Sequence, residues 1–538
     1  MDKDTAWWET GVIYQIYPRS FADSDGDGVG DILGIISRLD YLQWLGVDAV
    51  WISPFYPSPM ADFGYDVADH CDVDPLFGDL SDFDRLLREA HQRGIRVIID
   101  LVPNHTSDEH PWFEESRSSR NNPKRDWYVW RDPGPGGAPP NNWESIHGGG
   151  SSWEWDEETR QYYLHTFQVE QPDLDWHNPE VRVAIYDTMR FWLDRGVDGF
   201  RIDALPCLAK DDELRDNPPN PEWRPGDPLA ERQRRIYSED RPEVLGIVGE
   251  IRAVADEYEG DRVLIGEAYL PLKRLMEYYG EALNGLHMPF NFGLLLLPEW
   301  GFKAVGELVE QYEAALPEGA GPNWVLGNHD NPRIASRVGP DLSRTAQMLL
   351  LTLRGVPTLY YGDEICMRDA KVPPEAARDP QGIANPAYNR DPARTPMQWD
   401  SSRNAGFSSE NVEPWLPVYD PGGINVQAQR DDPRSMLTLV RRLIRLRREF
   451  PALSVGSYLA LDAGDESLLL YLREHEGQGV LVALNFDGES ATVDLSQVVG
   501  GGGKILCSTY LDRAEAPELP MLALRPYEGV ILLPDPRP

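Results

Sequence analysis

Short apolar runs and longer amphipathic stretches alternate along most of the chain. Gly11–Tyr17 (GVIYQIY) and Val47–Ser53 (VDAVWIS) are apolar runs of strand length. Downstream, Phe83, Leu86, Leu87 and Ala90 recur at i, i+3, i+4, i+7, with Ser81 as the expected N-cap and Gly94 as the stop. Ile95–Asp100 then reads as a buried strand, and Gly199–Ile202, Arg262–Gly266, Met288–Phe292, Trp324–Gly327 and Pro357–Tyr361 repeat the pattern. Near-continuous apolar strands are buried on both faces, and the intervening helices supply the cover. The pattern predicts an α/β fold, and eight strands in this order predict closure into a (β/α)8 TIM barrel.

Two segments break the rhythm. Residues 104–175, rich in Trp, Pro, Gly and Asn, read as a subdomain inserted after strand three. Residues 363–430, full of Pro, Asp and Arg, read as a long excursion after strand eight. From residue 456 the runs shorten to Leu468–Leu472, Val480–Leu484, Ile505–Ser508 and Gly529–Leu533 with Gly-rich turns, which predicts a C-terminal antiparallel β domain. The organisation expected is a barrel over 1–103 and 176–455, an insertion over 104–175, and a β domain over 456–538.

Charge narrows the partners. A formal net charge of −38 over 538 residues disfavours nucleic acid and anionic membranes. Cys71, Cys207, Cys366 and Cys507 are far apart with no CxxC pair, which excludes a zinc ribbon or thioredoxin motif and leads us to expect free thiols in a reducing compartment, the cytoplasm. The start, Met1-Asp2-Lys3-Asp4-Thr5, lacks a basic region followed by an apolar run, so no secretory signal is expected. No apolar stretch approaches membrane-spanning length. Monomer and homodimer both stay open.

Chemistry is concentrated where polar residues interrupt strand ends. Strand three ends in Asp100-Leu-Val-Pro-Asn104-His105, strand four in Arg201-Ile-Asp203-Ala204, strand five in Gly266-Glu267-Ala-Tyr, and strand seven in Asn328-His329-Asp330. In a barrel the C-terminal strand ends form one rim, so these groups converge. Two carboxylates about 5–5.5 Å apart are what retaining glycoside hydrolysis requires, one as nucleophile and one as acid/base. Arg201, two residues before Asp203 on the same strand face, is expected to keep Asp203 ionised, and Glu267 to need a raised pKa.

These segments resemble the α-amylase family, glycoside hydrolase family 13: DLVPNH (100–105), QPDLDW (171–176), GFRIDA (199–204), GEAY (266–269) and NHD (328–330). The resemblance runs from IYQIYPRSF (13–21) to the β tail. It is strongest to bacterial α-glucosidases and oligo-1,6-glucosidases, through ADFGYD (61–66) and RDPARTPMQW (390–399). It implies Asp203 as nucleophile, Glu267 as general acid/base and Asp330 as the carboxylate for the 2- and 3-hydroxyls. Asp62, Tyr65, His105, Arg201, His329 and Arg390 would line the terminal glucose pocket, with Arg394 as the alternative to Arg390. Asp175 departs from the family, where Asn is frequent.

The substrates so implied are small oligosaccharides, cut from the non-reducing end with some transglucosylation and without an organic cofactor. In the family, Val after the nucleophile accompanies α-1,6 preference and smaller or hydroxylated residues α-1,4 activity. Ala204 therefore points to maltose-type substrates, with sucrose as a further one. Three alternatives remain open: an oligo-1,6-glucosidase, a sucrose or trehalose isomerising transglucosylase, and a non-catalytic interaction protein of the same fold.

A separate motif, DSDGDGVGD (23–31), sets oxygen ligands at alternate positions of a Gly-rich loop: Asp23, Asp25, Asp27, the Val29 carbonyl and Asp31. The pattern suits a hard cation, although Gly34 stands where an EF-hand carries Glu. The corresponding loop of the oligo-1,6-glucosidase group resembles it and implies a structural Ca2+ or Mg2+.

Overall fold

A computed structural model describes residues 6–535 except 148, 226, 228–230, 497, 499–501 and 514–518. The Met1–Thr5 segment lies outside the described residues. Eight parallel strands form the central sheet: β1 (Ile13–Ile16), β2 (Ala49–Ile52), β3 (Arg96–Leu101), β4 (Gly199–Ile202), β5 (Val263–Gly266), β6 (Met288–Pro289), β7 (Asn323–Val325) and β8 (Val356–Tyr360). Their order is β7-β8-β1-β2-β3-β4-β5-β6. The β8–β1 pairing brings the chain round on itself, and the ladder is interrupted between β6 and β7 alone. The (β/α)8 barrel is thus nearly closed. The sixth strand is two residues long where an apolar run to Phe292 had been expected.

The barrel is filled as its sequence requires. Ile13, Trp51, Ile98, Val263, Ile265, Met288 and Val325 point inward and pack as one cluster. Residues on the opposite strand face, such as Tyr14, Val50, Val97 and Phe200, join the larger core beneath the helices. The helix Leu80–Gln92 shows how the cover forms. Phe83, Leu86, Leu87 and Ala90 are its buried stripe, as the spacing demanded. Its N-cap is Asp79, not Ser81: Asp79 accepts the Asp82 N–H while the Asp82 side chain accepts the Asp79 N–H, and this reciprocal box fixes the start two residues earlier.

Between β3 and β4 the chain forms a three-stranded antiparallel sheet of Trp130–Arg131, Gln161–Leu164 and Trp153–Asp156. After β8 a largely irregular stretch containing several short helices leads to the helix Met436–Glu449. The C-terminal part holds a five-stranded antiparallel sheet and a two-stranded one, Ala491–Asp494 with Met521–Leu524.

Buried Arg473 ties this tail to the barrel, and buried Arg447 holds the same loops from the barrel side. Arg447 donates to the carbonyls of Leu353 and Leu453, both at 2.8 Å, and to that of Gly355. Arg473 donates to the carbonyls of Thr352, Leu453 and Gly456. The four cysteines are free thiols. Among the described residues, no helix is long and apolar enough to cross a membrane.

Candidate active site

Strand register builds the centre of the site. Asp100 pairs with Arg201 across β3–β4, and Arg201 with Ile265 across β4–β5. The backbone pairing extends one step further: the Asp203 N–H donates to Leu101 O and the Glu267 N–H to Ile202 O, both at 2.9 Å. Residues two apart share a strand face, so Arg201 and Asp203 enter the barrel mouth together. Arg201 Nη1 lies 2.5 Å from Asp100 Oδ1 and 2.7 Å from Asp203 Oδ1, while Nη2 lies 2.7 Å from Glu267 Oε2. Arg201 is buried just beneath the cavity wall and reaches the site through the carboxyls it holds.

One guanidinium facing three carboxyl groups leaves excess negative charge in a dry site. Burial pushes Asp100 up to about 6 despite Arg201. Burial, reinforced by repulsion from Glu267 and Asp100, lifts Asp203 well above the usual carboxylate range against the pull of Arg201. Arg201 favours the ionised form of Asp203, as the sequence led us to expect, while burial and the neighbouring carboxyls oppose it. Asp203 and Glu267 are held side by side on the two terminal nitrogens of one guanidinium, which suits the short spacing of a retaining pair.

A second charge group occupies the adjoining wall. Asp330 Oδ1 takes Arg394 Nη2 at 2.9 Å and Arg390 Nη1 at 3.2 Å. Burial works to raise its pKa, but the charged Arg390 and Arg394 override it and hold the carboxyl well below the usual range. His329 stacks on Tyr65 with ring centroids 5.4 Å apart. The Gln15 amide nitrogen lies 2.8 Å from His329 Nδ1, so Nε2 carries the hydrogen, 2.8 Å from the Tyr65 hydroxyl. Burial pushes His329 down to about 3, so it is neutral.

Arg390 also binds Asp62 Oδ1 at 2.8 Å. Burial opposes ionisation of Asp62, and Arg390 with Arg394 outweighs it. His105 Nε2 is 3.0 Å from Gln171 Nε2 and 3.1 Å from the Tyr65 carbonyl.

Asp62, Tyr65, His105, Asp203, Glu267, His329, Asp330 and Arg390 line one cavity of about 1170 Å3. Arg394 lies beneath the wall, donating to His329 O at 2.6 Å. The reading of the sequence missed His147, Phe167, Gln171 and Tyr269 on the wall and Asp379 behind it. It also missed the β4-to-helix connection, whose Glu222, Gln233 and Glu239 form part of the rim. One signal was available: Arg-Asp-Pro stands at 378–380 and again at 390–392. The two copies clamp each other, Asp379 on the Arg390 guanidinium and Asp391 Oδ2 on the Arg378 and Asp379 N–H groups. Asp175 accepts its near neighbour His177 N–H, whereas buried Asp173 binds Lys210 at 2.8 Å.

The family model described as the α-amylase catalytic domain matches residues 15–456. The chain belongs to the α-amylase family. A second model, the maltogenic amylase C-terminal domain, matches residues 458–531 of this family member. It is 44% identical to a probable α-glucosidase of Rhizobium meliloti (strain 1021) over 92% of each chain. To an oligo-1,6-glucosidase of Parageobacillus thermoglucosidasius it is 40% identical over 98% of each. Among solved structures, the α-glucosyl transfer enzyme XgtA superposes with a TM-score of 0.92 at 44% identity, over 99% of this chain and 100% of that one.

The acidic loop needs one correction. Carboxylate oxygens of Asp23, Asp25 and Asp27 lie within 4.8 Å of one another. Asp31 does not join them, because its carboxylate caps the following helix at Gly34 N and also accepts from Ser24 N and Oγ. Val29 is seen here through its N–H, which donates to Asp27 Oδ1 at 2.7 Å. Partial burial, with Asp25 and Asp23 beside it, raises Asp27. Three converging carboxylates without a cationic partner in the group are a donor set suited to a hard cation.

Proposed function

We propose that the protein is a retaining, exo-acting α-glucosidase that releases terminal glucose from maltose-type oligosaccharides, accepts sucrose, and transfers some glucose to sugar acceptors. The observation that carries this reading is that Asp203 and Glu267, both lining the cavity, share the Arg201 guanidinium. Asp203 attacks the anomeric carbon, forming a glucosyl ester, while Glu267 protonates the leaving oxygen and then draws a proton from the incoming water. For attack the acidic proton of the pair is on Glu267, and Asp203 is the carboxylate that faces Arg201. Asp330, held ionised by Arg390 and Arg394, takes the 2- and 3-hydroxyls. Asp62, Tyr65, His105, His329 and Arg390 enclose the rest of the sugar. Exo action is supported by the walls raised from the β3–β4 insertion (His147, Phe167) and the post-β8 excursion (Gln381, Tyr388).

Glucose release from maltose, sucrose, isomaltose and trehalose, with full product chromatography, tests the reading. Rapid release from maltose or sucrose and little from isomaltose supports it; preferential isomaltose cleavage overturns the α-1,4 assignment. Transfer has its own support, because XgtA and a trehalulose synthase (TM-score 0.90, 34% identity) share the fold closely. Isomerised disaccharide without net hydrolysis would select that reading.

The proposal includes a structural Ca2+ or Mg2+ held by Asp23, Asp25 and Asp27, and a cytoplasmic location supported by four free cysteines.

A further inference from the structure

His147 stands on the cavity wall in a segment pinned to its neighbours. The Ile146 N–H donates to Thr166 O at 2.8 Å, Ser145 Oγ donates to the His147 and Phe167 carbonyls, and the Phe167 ring packs edge-on against the imidazole at 5.0 Å. Its Nδ1 is buried, has no hydrogen-bond partner among the described residues, and lies 3.6 Å from Asp62 Oδ2, beyond hydrogen-bond length. Burial pushes the imidazole down to about 4, so the ring is neutral, with one N–H and one lone pair. A carboxylate can only accept, and Asp62 is held ionised. The hydrogen therefore belongs on Nδ1, facing Asp62, and Nε2 keeps its lone pair. With Nδ1 buried against Asp62, the ring edge carrying Nε2 is the one turned to the cavity.

The place of this edge in the pocket follows from the two charge groups. Asp203 and Glu267 are bound by Arg201, and Asp62 by Arg390, Gln171 and His147. His147 thus belongs to the end of the pocket away from the reacting pair, where the ring carbons distant from the anomeric centre lie.

We propose that His147 is a specificity-determining residue for the terminal sugar, its Nε2 accepting a hydrogen bond from the 4- or 6-hydroxyl of the non-reducing glucose while Nδ1–H faces Asp62. The inference rests on the α-glucosidase reading and deepens it. A buried acceptor left without its donor is costly, so a site of this kind rejects the deoxy sugar.

The test uses 4-nitrophenyl α-glucoside and its 2-, 4- and 6-deoxy analogues with the wild type, H147F and H147Q, each checked by thermal unfolding. In the wild type, loss of the contacted hydroxyl lowers kcat/KM by about tenfold or more. In H147F that penalty shrinks to within about twofold, because the acceptor is gone from wild-type and deoxy complexes alike, while the 2-deoxy penalty is unchanged. H147Q retains an acceptor and restores part of the discrimination. Equal 4- and 6-deoxy penalties in wild type and H147F overturn the inference. If H147F does not fold, an unchanged pair of penalties in H147L, which also lacks an acceptor, overturns it instead. A wild type inactive on the parent glucoside removes the α-glucosidase reading and this inference together, whereas full activity with unchanged penalties removes the inference alone.

Discussion

Asp379 holds Arg390 twice, through an Nη2–Oδ1 contact of 2.7 Å and by accepting the Arg390 backbone N–H at 2.7 Å. The guanidinium is thereby aimed at Asp62 and Asp330, although Asp379 itself lies behind the wall. Releasing that grip leaves Arg390 with two partners and freedom to turn. Asp379→Asn is expected to raise KM for maltose by about tenfold, roughly 1.4 kcal/mol, with a smaller change in kcat. Steady-state kinetics checks this, and an unchanged KM would show that Arg390 keeps its place without the clamp.

Asp203→Asn is expected to lower turnover on the order of 10^4-fold or more while leaving the fold intact. The melting temperature should not drop, because the change removes one of three carboxyls crowded onto Arg201. Retained activity would refute the nucleophile assignment.

Asp363 supplies a pH dependence. Burial drives its carboxyl up to about 7, although Arg333 Nη1 lies 4.0 Å away and Glu364 adds repulsion. A raised carboxyl binds its proton more tightly in the folded chain than in the unfolded one. Its contribution is fully present below about pH 4 and is lost as pH rises to about 7, an effect of up to about 4 kcal/mol. Asp363→Asn should therefore gain stability relative to wild type between pH 5 and pH 8. Melting temperatures at the two pH values measure it; a constant difference would contradict the assignment.

Ala204 follows the nucleophile with φ of +46°, a left-handed conformation unfavourable to β-branched residues. Ala204→Val is expected to raise the isomaltose-to-maltose activity ratio and to cost about 1 kcal/mol or more of stability. Parallel assays on the two disaccharides, with a melting curve, check both. A ratio that does not move would detach linkage preference from this position.

The acidic loop predicts a metal effect. Added Ca2+ should raise the melting temperature, EDTA should reverse the gain, and Asp25→Asn should abolish it. An identical melting curve with and without calcium would remove the proposed site.

The barrel was legible because its strands are apolar on both faces, a pattern few other arrangements allow. Asp203, Glu267 and Asp330 stood out for the complementary reason, as charges where those runs end. His147, Gln171 and Asp379 did not, because they sit on connections with no periodicity, and only the folded chain brings them to the wall. The helix start at Asp79 was missed because Ser81 is an equally good cap in isolation; the reciprocal bond from Asp82 decides between them. The upward shift of Asp203 was beyond reach too, since it depends on burial and on how many carboxyls crowd one guanidinium rather than on which residue neighbours it in sequence.

The two family segments of this chain meet between residues 456 and 458, yet that join is no seam. Arg473 reaches back from the tail to the carbonyls of Thr352, Leu453 and Gly456, and Arg447 shares Leu453 from the barrel side. Cutting at the join would take the Arg473 donor from the Thr352 carbonyl and leave Leu453 with Arg447 alone. Although the two segments read as separate modules, the end of the first takes a buried donor from the second, and they are fastened as one body.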